Sequence, residues 1–320
     1  MKNTFLILIF LTFTNITFSQ SIEIESSEPL IEAYLSPLGE SLGQGLNSGW
    51  YNTAKPHKLG GFDLTFNFNF VEIPNSSLFF NPNEISENFS SDDQESPTIL
   101  GKGNGATIVY DSQNGFTDSF KMPDHTIEMN NIPIPTLNLS VGIFKETELM
   151  FRYIPETTFN REFLGQASLS LTGLGFKHNL VQWLPFAKKL PIDLSIQAAY
   201  TKLNTSFELN GNNVTQMVEL NTTAFNYNLI FSKKFLMFTP YVSVGNNYSL
   251  TNFSSNSTFY LGEDLESIEL NIPYDIDFES SSLLNYGAGI RVQFAILSLN
   301  ISQSFGDYKT TSIGAGISFR

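Results

Sequence analysis

Cysteine is absent from the 320-residue chain. No disulfide framework, thiol nucleophile or cysteine-based metal site is available, so folding must rest on burial and backbone hydrogen bonds. Charge is sparse at 15%, and bases are scarcer than acids: 17 Lys and Arg stand against 31 Asp and Glu, for a net charge of −14. Nucleic acid is thereby excluded as a partner, because phosphate binding needs clustered Lys and Arg. Past the first twenty residues, no apolar run approaches the ~18 residues of a transmembrane helix. A membrane-bound form would have to cross as strands. Only three histidines occur, His57, His125 and His178. None accompanies a nucleophile motif such as G-x-S-x-G, and there is no Gly-rich phosphate loop or Cys/His cluster. No enzyme activity, cofactor or metal is expected. Asp275, Asp277 and Glu279 alternate, and read as a solvated acidic loop rather than a calcium site.

Aromatic residues are plentiful instead, with 30 Phe and 12 Tyr, and Asn, Ser and Thr carry most of the polarity. Their arrangement is clearest at 62–70, where Phe62, Leu64, Phe66, Phe68 and Phe70 alternate with Asp63, Thr65, Asn67 and Asn69. Successive side chains of a strand point to opposite faces, so this segment has one apolar and one polar face. Nine alternating residues also suffice to cross a bilayer as a tilted strand.

Residues 1–20 read as a signal peptide: Lys2, an apolar stretch from Phe5 to Phe13, and small residues at Thr17 and Ser19 before the cleavage site. Residues 21–58 read as a leader and plug. Within 30–48, Leu30, Ile31, Tyr34, Leu35, Leu38, Leu42 and Leu46 recur at helical spacing. Ser36 and Pro37 would serve as N-cap and first helical residue. Such a Gly-rich amphipathic helix needs a surface to lie against, and a barrel lumen supplies one.

Alternation recurs along 59–320. Ten segments are clear: 62–70, 137–143, 149–153, 163–181, 192–201, 223–231, 236–248, 286–294, 297–301 and 313–319. Two are weak, 106–111 and 116–129. Within 163–181 the apolar phase switches at Thr172 and Gly173, which suggests a bulge or kink. Two acidic aperiodic stretches, 75–105 and the region around 263–279, read as long external loops. The polar face holds amides and hydroxyls rather than the Lys and Glu of a water-facing sheet. The fold class is therefore all-β: a closed antiparallel transmembrane β-barrel of about twelve strands, within a range of ten to fourteen, with an N-terminal helical plug. A secreted β-sandwich is the soluble alternative. The final strand, with Phe319 next to last, is similar to the signal read by outer-membrane barrel-assembly machinery.

Residues 49–62 (GWYNTAKPHKLGGF), 147–155 (TELMFRYIP) and 177–200 (KHNLVQWLPFAKKLPIDLSIQAAY) together resemble an uncharacterised family of outer-membrane barrels from Bacteroidetes-type bacteria. More distantly, the layout is similar to FadL-like transporters of hydrophobic compounds, with Asn52-Thr53-Ala54 where that family has Asn-Pro-Ala. The resemblance implies a monomer in the cell outer membrane, bounded by lipid and lipopolysaccharide. It implies passive, porin-like transport of a small hydrophobic or amphipathic molecule. The alternative is a structural or surface-interaction barrel acting through its acidic loops. Candidate ligand or plug contacts are Lys55, His57, Lys58, Asp63 and Arg152. Asp63 is expected to anchor Lys55 or Lys58, and Arg152 to pair with Glu146 or Glu148.

Overall fold

The computed structural model describes residues 24–111, 117–161, 165–184, 191–210, 214–259 and 274–319. The expected signal peptide lies outside them. One helix, α1 (Ile24–Asn47), precedes the strands. These are β1 (Phe62–Glu72), β2 (Phe79–Phe80), β3 (Phe89–Ser90), β4 (Ser96–Pro97), β5 (Thr107–Asp111), β6 (Thr117–Lys121), β7 (Asn131–Ile143), β8 (Thr147–Arg161), β9 (Gly165–Asn179), β10 (Asp193–Asn210), β11 (Val214–Ser232), β12 (Phe238–Phe259), β13 (Tyr274–Phe294), β14 (Leu297–Phe305) and β15 (Lys309–Phe319).

Ten of these strands, β1 and β7 to β15, form a closed antiparallel barrel in which each pairs with its neighbour and β1 pairs with both β7 and β15. The count is ten rather than twelve. The ten clearly alternating segments all enter the wall. The two weak ones do not: 106–111 and 116–129 contribute β5 and β6 to a separate three-stranded sheet with β3. Neither has an unbroken apolar face long enough for a wall strand.

The two mouths differ. The proximal mouth carries the turns at 144–146, 233–237 and 295–296 and both ends of the barrel sequence, Phe62 and Phe319. Its tight turns place Lys145, Glu146, Leu236 and Ala295 at positive φ; successive positive values at Lys145 and Glu146 match the twist of a two-residue hairpin turn. The distal mouth carries the 73–130 excursion and the connection after β12. That excursion is not the structureless loop its composition suggests. Leu78, Phe89, Ile99, Leu100, Ile108 and Met122 are buried in one apolar core with α1 and the distal lumen. Asp275, Asp277 and Glu279 also leave the loop category, since they lie on β13.

Hydrophobic side chains change faces part-way along the wall. Near the proximal mouth the exposed outer face holds Phe62, Leu64, Phe66, Leu137, Leu139, Leu174, Phe176, Phe225, Tyr227, Leu229 and Phe231. There the inner face holds Asp63, Thr65, Asn67, Asn138, Lys177, Gln197 and Asn226. Toward the distal mouth the inner face becomes apolar, with Val71, Ile132, Ile134, Leu171, Leu203, Val218, Leu220, Phe253 and Phe278 buried. The outer face becomes polar there, as at Lys202, Asn204 and Asn221. This explains the switch at Thr172 and Gly173. The pairing of β9 with β10 runs through it without a shift, and the irregularity lies instead in β8, between Ile154 and Thr157. The backbone keeps its phase while the apolar residues move from outside to inside. The outward belt runs from Phe62 to Phe70 on β1, eight steps of about 3.3 Å or roughly 26 Å of strand, which a barrel tilt of about 40° projects to roughly 20 Å, somewhat less than the ~25 Å apolar band of a transmembrane barrel.

The helix fills the distal lumen. It begins well before Ser36 and carries Pro29 and Pro37 inside it. Burial of its apolar face outweighs the lost proline hydrogen bonds: Leu30, Ile31, Tyr34, Leu35, Leu38, Leu42 and Leu46 are all buried. Each such side chain contributes about 1.5–3 kcal/mol. Gly39 and Gly43 let it approach the wall. A Cβ on Gly43 would overlap Ser249, and one on Gly39 would lie 3.2 Å from the Cβ of Thr251.

Candidate functional site

The chain leaves α1 at Asn47 and runs through the polar half of the lumen to the proximal rim. The last carbonyls of a helix have no partner within it and carry the negative end of its dipole. Arg152 on β8 meets them. Its Nη1 donates to Leu46 O at 2.6 Å, Nη2 to Ser48 O at 2.9 Å and Nε to Asn138 Oδ1 at 2.9 Å. The guanidinium also lies 4.1 Å from the centroid of Trp50. It is a buried cation whose partners here are carbonyls and a ring face. The expected pairing with Glu146 or Glu148 does not occur, because both carboxylates are engaged elsewhere. Glu146 accepts from Asn179 Nδ2 at 2.6 Å.

Glu148 anchors the other end of the descending segment. Its Oε2 accepts from His57 N at 2.9 Å and lies 2.6 Å from His57 Nδ1, while Lys177 Nζ stands 3.1 Å from Oε1. His57 Nε2 lies 3.1 Å from Ser318 Oγ. The order Ser318, His57, Glu148 is that of a nucleophile relay. All three are buried, however, and the adjacent cavity of about 10 Å³ is lined by His57 and Glu148 but not by Ser318. That volume holds about one water molecule, not an acyl substrate. The contacts tie the backbone at His57 to β8, β9 and β15.

A third tie joins Asp63 to Arg291, Nη2 to Oδ2 at 2.8 Å, with Arg291 Nη1 donating to Asn52 Oδ1 at 2.7 Å. Asp63 thus pairs with Arg291 and not with Lys55 or Lys58, both of which are exposed at the proximal rim. Amides complete the seat: Asn69 donates to Gly45 O, Asn138 to Gly49 O and Asn226 to Asn47 O. A second residual cavity measures about 20 Å³.

Of the five candidate contacts, the structure brings His57, Asp63 and Arg152 into the lumen and leaves Lys55 and Lys58 at its edge. Sequence reasoning missed Arg291, Lys177 and Ser318. The first two carried a readable signal: each is a charge on a strand face otherwise filled by amides, hydroxyls and glycine. The side chains of His125 and His178 make their contacts outside this network, although His178 follows Lys177 on β9. His178 joins Thr147 and Trp183 at the proximal rim. His125 lies 2.8 Å from the Tyr34 hydroxyl under the distal excursion. Burial holds the His125 imidazole below its ordinary pKa, opposed by Asp124, and burial pushes the Tyr34 phenol up. The contact joins a neutral ring to a neutral phenol. Among the described residues, no group of three or more His, Asp or Glu is placed to hold a metal ion.

Charge divides between the mouths. Exposed Glu28, Glu32, Glu84, Glu87, Asp92, Asp93, Glu95, Asp275 and Glu279 make the distal face acidic. Lys55, Lys58, Lys145 and Lys234 are exposed at the proximal face.

A family model described as "Family of unknown function (DUF6588)" matches residues 1–319, and the chain belongs to that family. No curated protein matches it. Solved structures similar to it include the translocator domain of the autotransporter NalP from Neisseria meningitidis, at 10% identity and a TM-score of 0.37, covering 93% of this chain and 100% of that one. The ferric citrate transporter FecA is similar at 13% identity and a TM-score of 0.34, over 82% of this chain, which spans 41% of the transporter. The TodX monoaromatic hydrocarbon channel, as a deletion mutant, is similar at 9% identity and a TM-score of 0.24, over 88% of this chain and 99% of that one.

Proposed function

We propose that this family member spans the cell outer membrane as a plug-sealed monomeric barrel and passes small hydrophobic or amphipathic compounds when the plug shifts. The observation that carries the reading is the apolar distal lumen occupied by the apolar face of α1. A helix seated there is a stand-in for cargo: whatever displaces it must offer comparable apolar surface. The proximal half, lined by amides, hydroxyls and paired charges, suits a molecule that also has a polar end. The outward belt meets lipid, lipopolysaccharide surrounds the distal wall, and β15 is the strand offered to assembly machinery. The Ser318–His57–Glu148 contacts then serve as a latch, without catalysis.

The absence of cysteine makes a direct test simple. In Gly39→Cys/Thr251→Cys, the two Cβ atoms fall near the ~3.5–4.5 Å of a disulfide. Oxidation should lock the plug and abolish entry of an apolar fluorophore into proteoliposomes, and reduction should restore it. Equal entry in the locked and reduced forms would refute gating by the plug. That result would favour the second reading, a surface-interaction barrel, which is supported by the acidic distal face.

A further inference from the structure

The apolar outer surface does not stop where the wall strands end on the proximal side. The lead-in to β1 and the four proximal connections each carry a large apolar side chain at or beside the tip: Leu59, Phe144, Trp183, Leu236 and Ile296 are between 51 and 91% exposed. The distal tips differ, with Glu84, Glu87, Asp92 and Asp93 exposed. In the 233–237 turn the apolar choice goes against local conformation. Leu236 has φ +54° and is the most exposed of the five. A side chain crowds the backbone in that region, and Asn, Asp or Gly would suit both the conformation and contact with water. An apolar surrounding accounts for leucine there.

The length of the apolar band points the same way. On β11 the outward series Phe225, Tyr227, Leu229 and Phe231 continues past the strand end to Phe235, which still pairs with Phe238. Ten steps of about 3.3 Å at a tilt of about 40° project to roughly 25 Å, so the full band is reached once the turn is counted in it. Cations accompany the apolar tips. Lys58 precedes Leu59, Lys145 follows Phe144, and Lys233 and Lys234 precede Phe235. Lys233 Nζ lies 4.9 Å from the Phe235 centroid. The acids on the described rim are Glu146 and Asp193. Large apolar groups beside lysines suit the boundary between lipid tails and headgroups, where the lysine stem lies in apolar surroundings and the ammonium reaches phosphate.

We infer that the proximal turns lie within the lipid leaflet and not in the water beyond it, and that the 233–237 turn is an anchor whose Lys233 and Lys234 take the phosphates of anionic phospholipid. Lipid is the occupant because this surface is continuous with the outward belt. The inference rests on the membrane-spanning reading above.

Single-cysteine variants of the full chain test this, each carrying one nitroxide, in vesicles of phosphatidylcholine and phosphatidylglycerol. Leu229→Cys reports the belt, Glu87→Cys the distal face and Leu236→Cys the turn, where the exposed side chain can be replaced without loss of packing. Leu229→Cys and Leu236→Cys are expected to collide more with oxygen, which concentrates in lipid, and Glu87→Cys more with a water-soluble nickel chelate. A lipid-like Leu229→Cys beside a water-like Leu236→Cys would overturn the inference and leave the spanning barrel standing. That is also the result a soluble partner on the rim would give. A water-like Leu229→Cys would remove the spanning reading and the inference with it. For the headgroups, the unmodified protein should immobilise spin-labelled phosphatidylglycerol in preference to spin-labelled phosphatidylcholine, and Lys233→Gln/Lys234→Gln should lose that preference. Equal preference in the two proteins would overturn the phosphate assignment.

Discussion

Replacing Arg152 by Met should release the plug while leaving the wall intact. The side chain of similar length keeps most of the packing against Trp50 but removes three charge-assisted donors, from Asn138 Oδ1, Leu46 O and Ser48 O. Each acceptor left buried without a donor costs about 1–3 kcal/mol. Relief from burying a guanidinium offsets part of this, by a few kcal/mol. A net loss of about 3 kcal/mol corresponds to a local opening constant about 10²-fold larger. Two of the three acceptors belong to the end of α1 and its following turn, so the loss falls on helix opening. The assay is amide hydrogen exchange of the detergent-solubilised barrel, which reads such sub-global openings segment by segment. Amides of α1 between Leu38 and Asn47 should exchange about 10²-fold faster, with β10, β11 and β12 unchanged. Arg152→Lys, which keeps the charge but loses the planar fork, should fall between. Unchanged helix exchange in Arg152→Met, or equal acceleration in helix and strands, would refute the assignment of Arg152 as the plug's anchor.

Asp63→Asn should destabilise the whole barrel by about 3–5 kcal/mol, because it leaves the buried Arg291 guanidinium without its counter-charge. Urea titration in detergent micelles checks this, and Asp63→Asn/Arg291→Met should recover much of the loss. Acidification should loosen the distal cap. His125 has a lowered pKa in the folded protein, so the unfolded segment binds its proton more readily. Stability at this contact is full above about pH 6.5, the ordinary imidazole value. It declines as pH falls from there to the lowered value. Protease sensitivity of the 73–130 excursion should rise over that window, and His125→Gln should flatten the profile.

The wall was readable from alternation because a barrel strand must keep two chemically different faces over its whole length. Residues 62–70 show this without interruption, and all ten clearly alternating segments are wall strands. Residues 106–111 alternate too briefly to distinguish wall from cap, and only tertiary pairing decides. The helix was readable from its Leu spacing but not its start: Pro37 looks like a boundary when the apolar surface that buries Leu30, Ile31, Tyr34 and Leu35 is out of view. The phase switch at Gly173 was visible, but its cause lies in the environment outside the wall and not in the backbone. For the lumen, strand parity points Asp63 and Arg152 inward. Their partners depend on which strands meet across the ring. Asp63 finds Arg291 on β13, a pairing that no local spacing encodes.

The seam between β1 and β15 has a kinetic consequence. It joins eleven residue pairs from Phe62 and Phe319 to Glu72 and Lys309, with no shift in register and an ion pair of 2.7 Å at its distal end. Every other wall pairing is between strands consecutive around the meander, whereas these partners stand well over two hundred residues apart. Closing so long a loop costs about 5 kcal/mol of chain entropy on the (3/2)RT ln n scale, and pairings of this kind form late. The helix is made first, yet it becomes enclosed only when the final eleven residues dock. Until that moment β1 and β14 are open edges able to recruit another chain. The C-terminal strand therefore sets the clock for the whole assembly, and slowing its docking should lengthen the life of an unsealed, aggregation-prone ring.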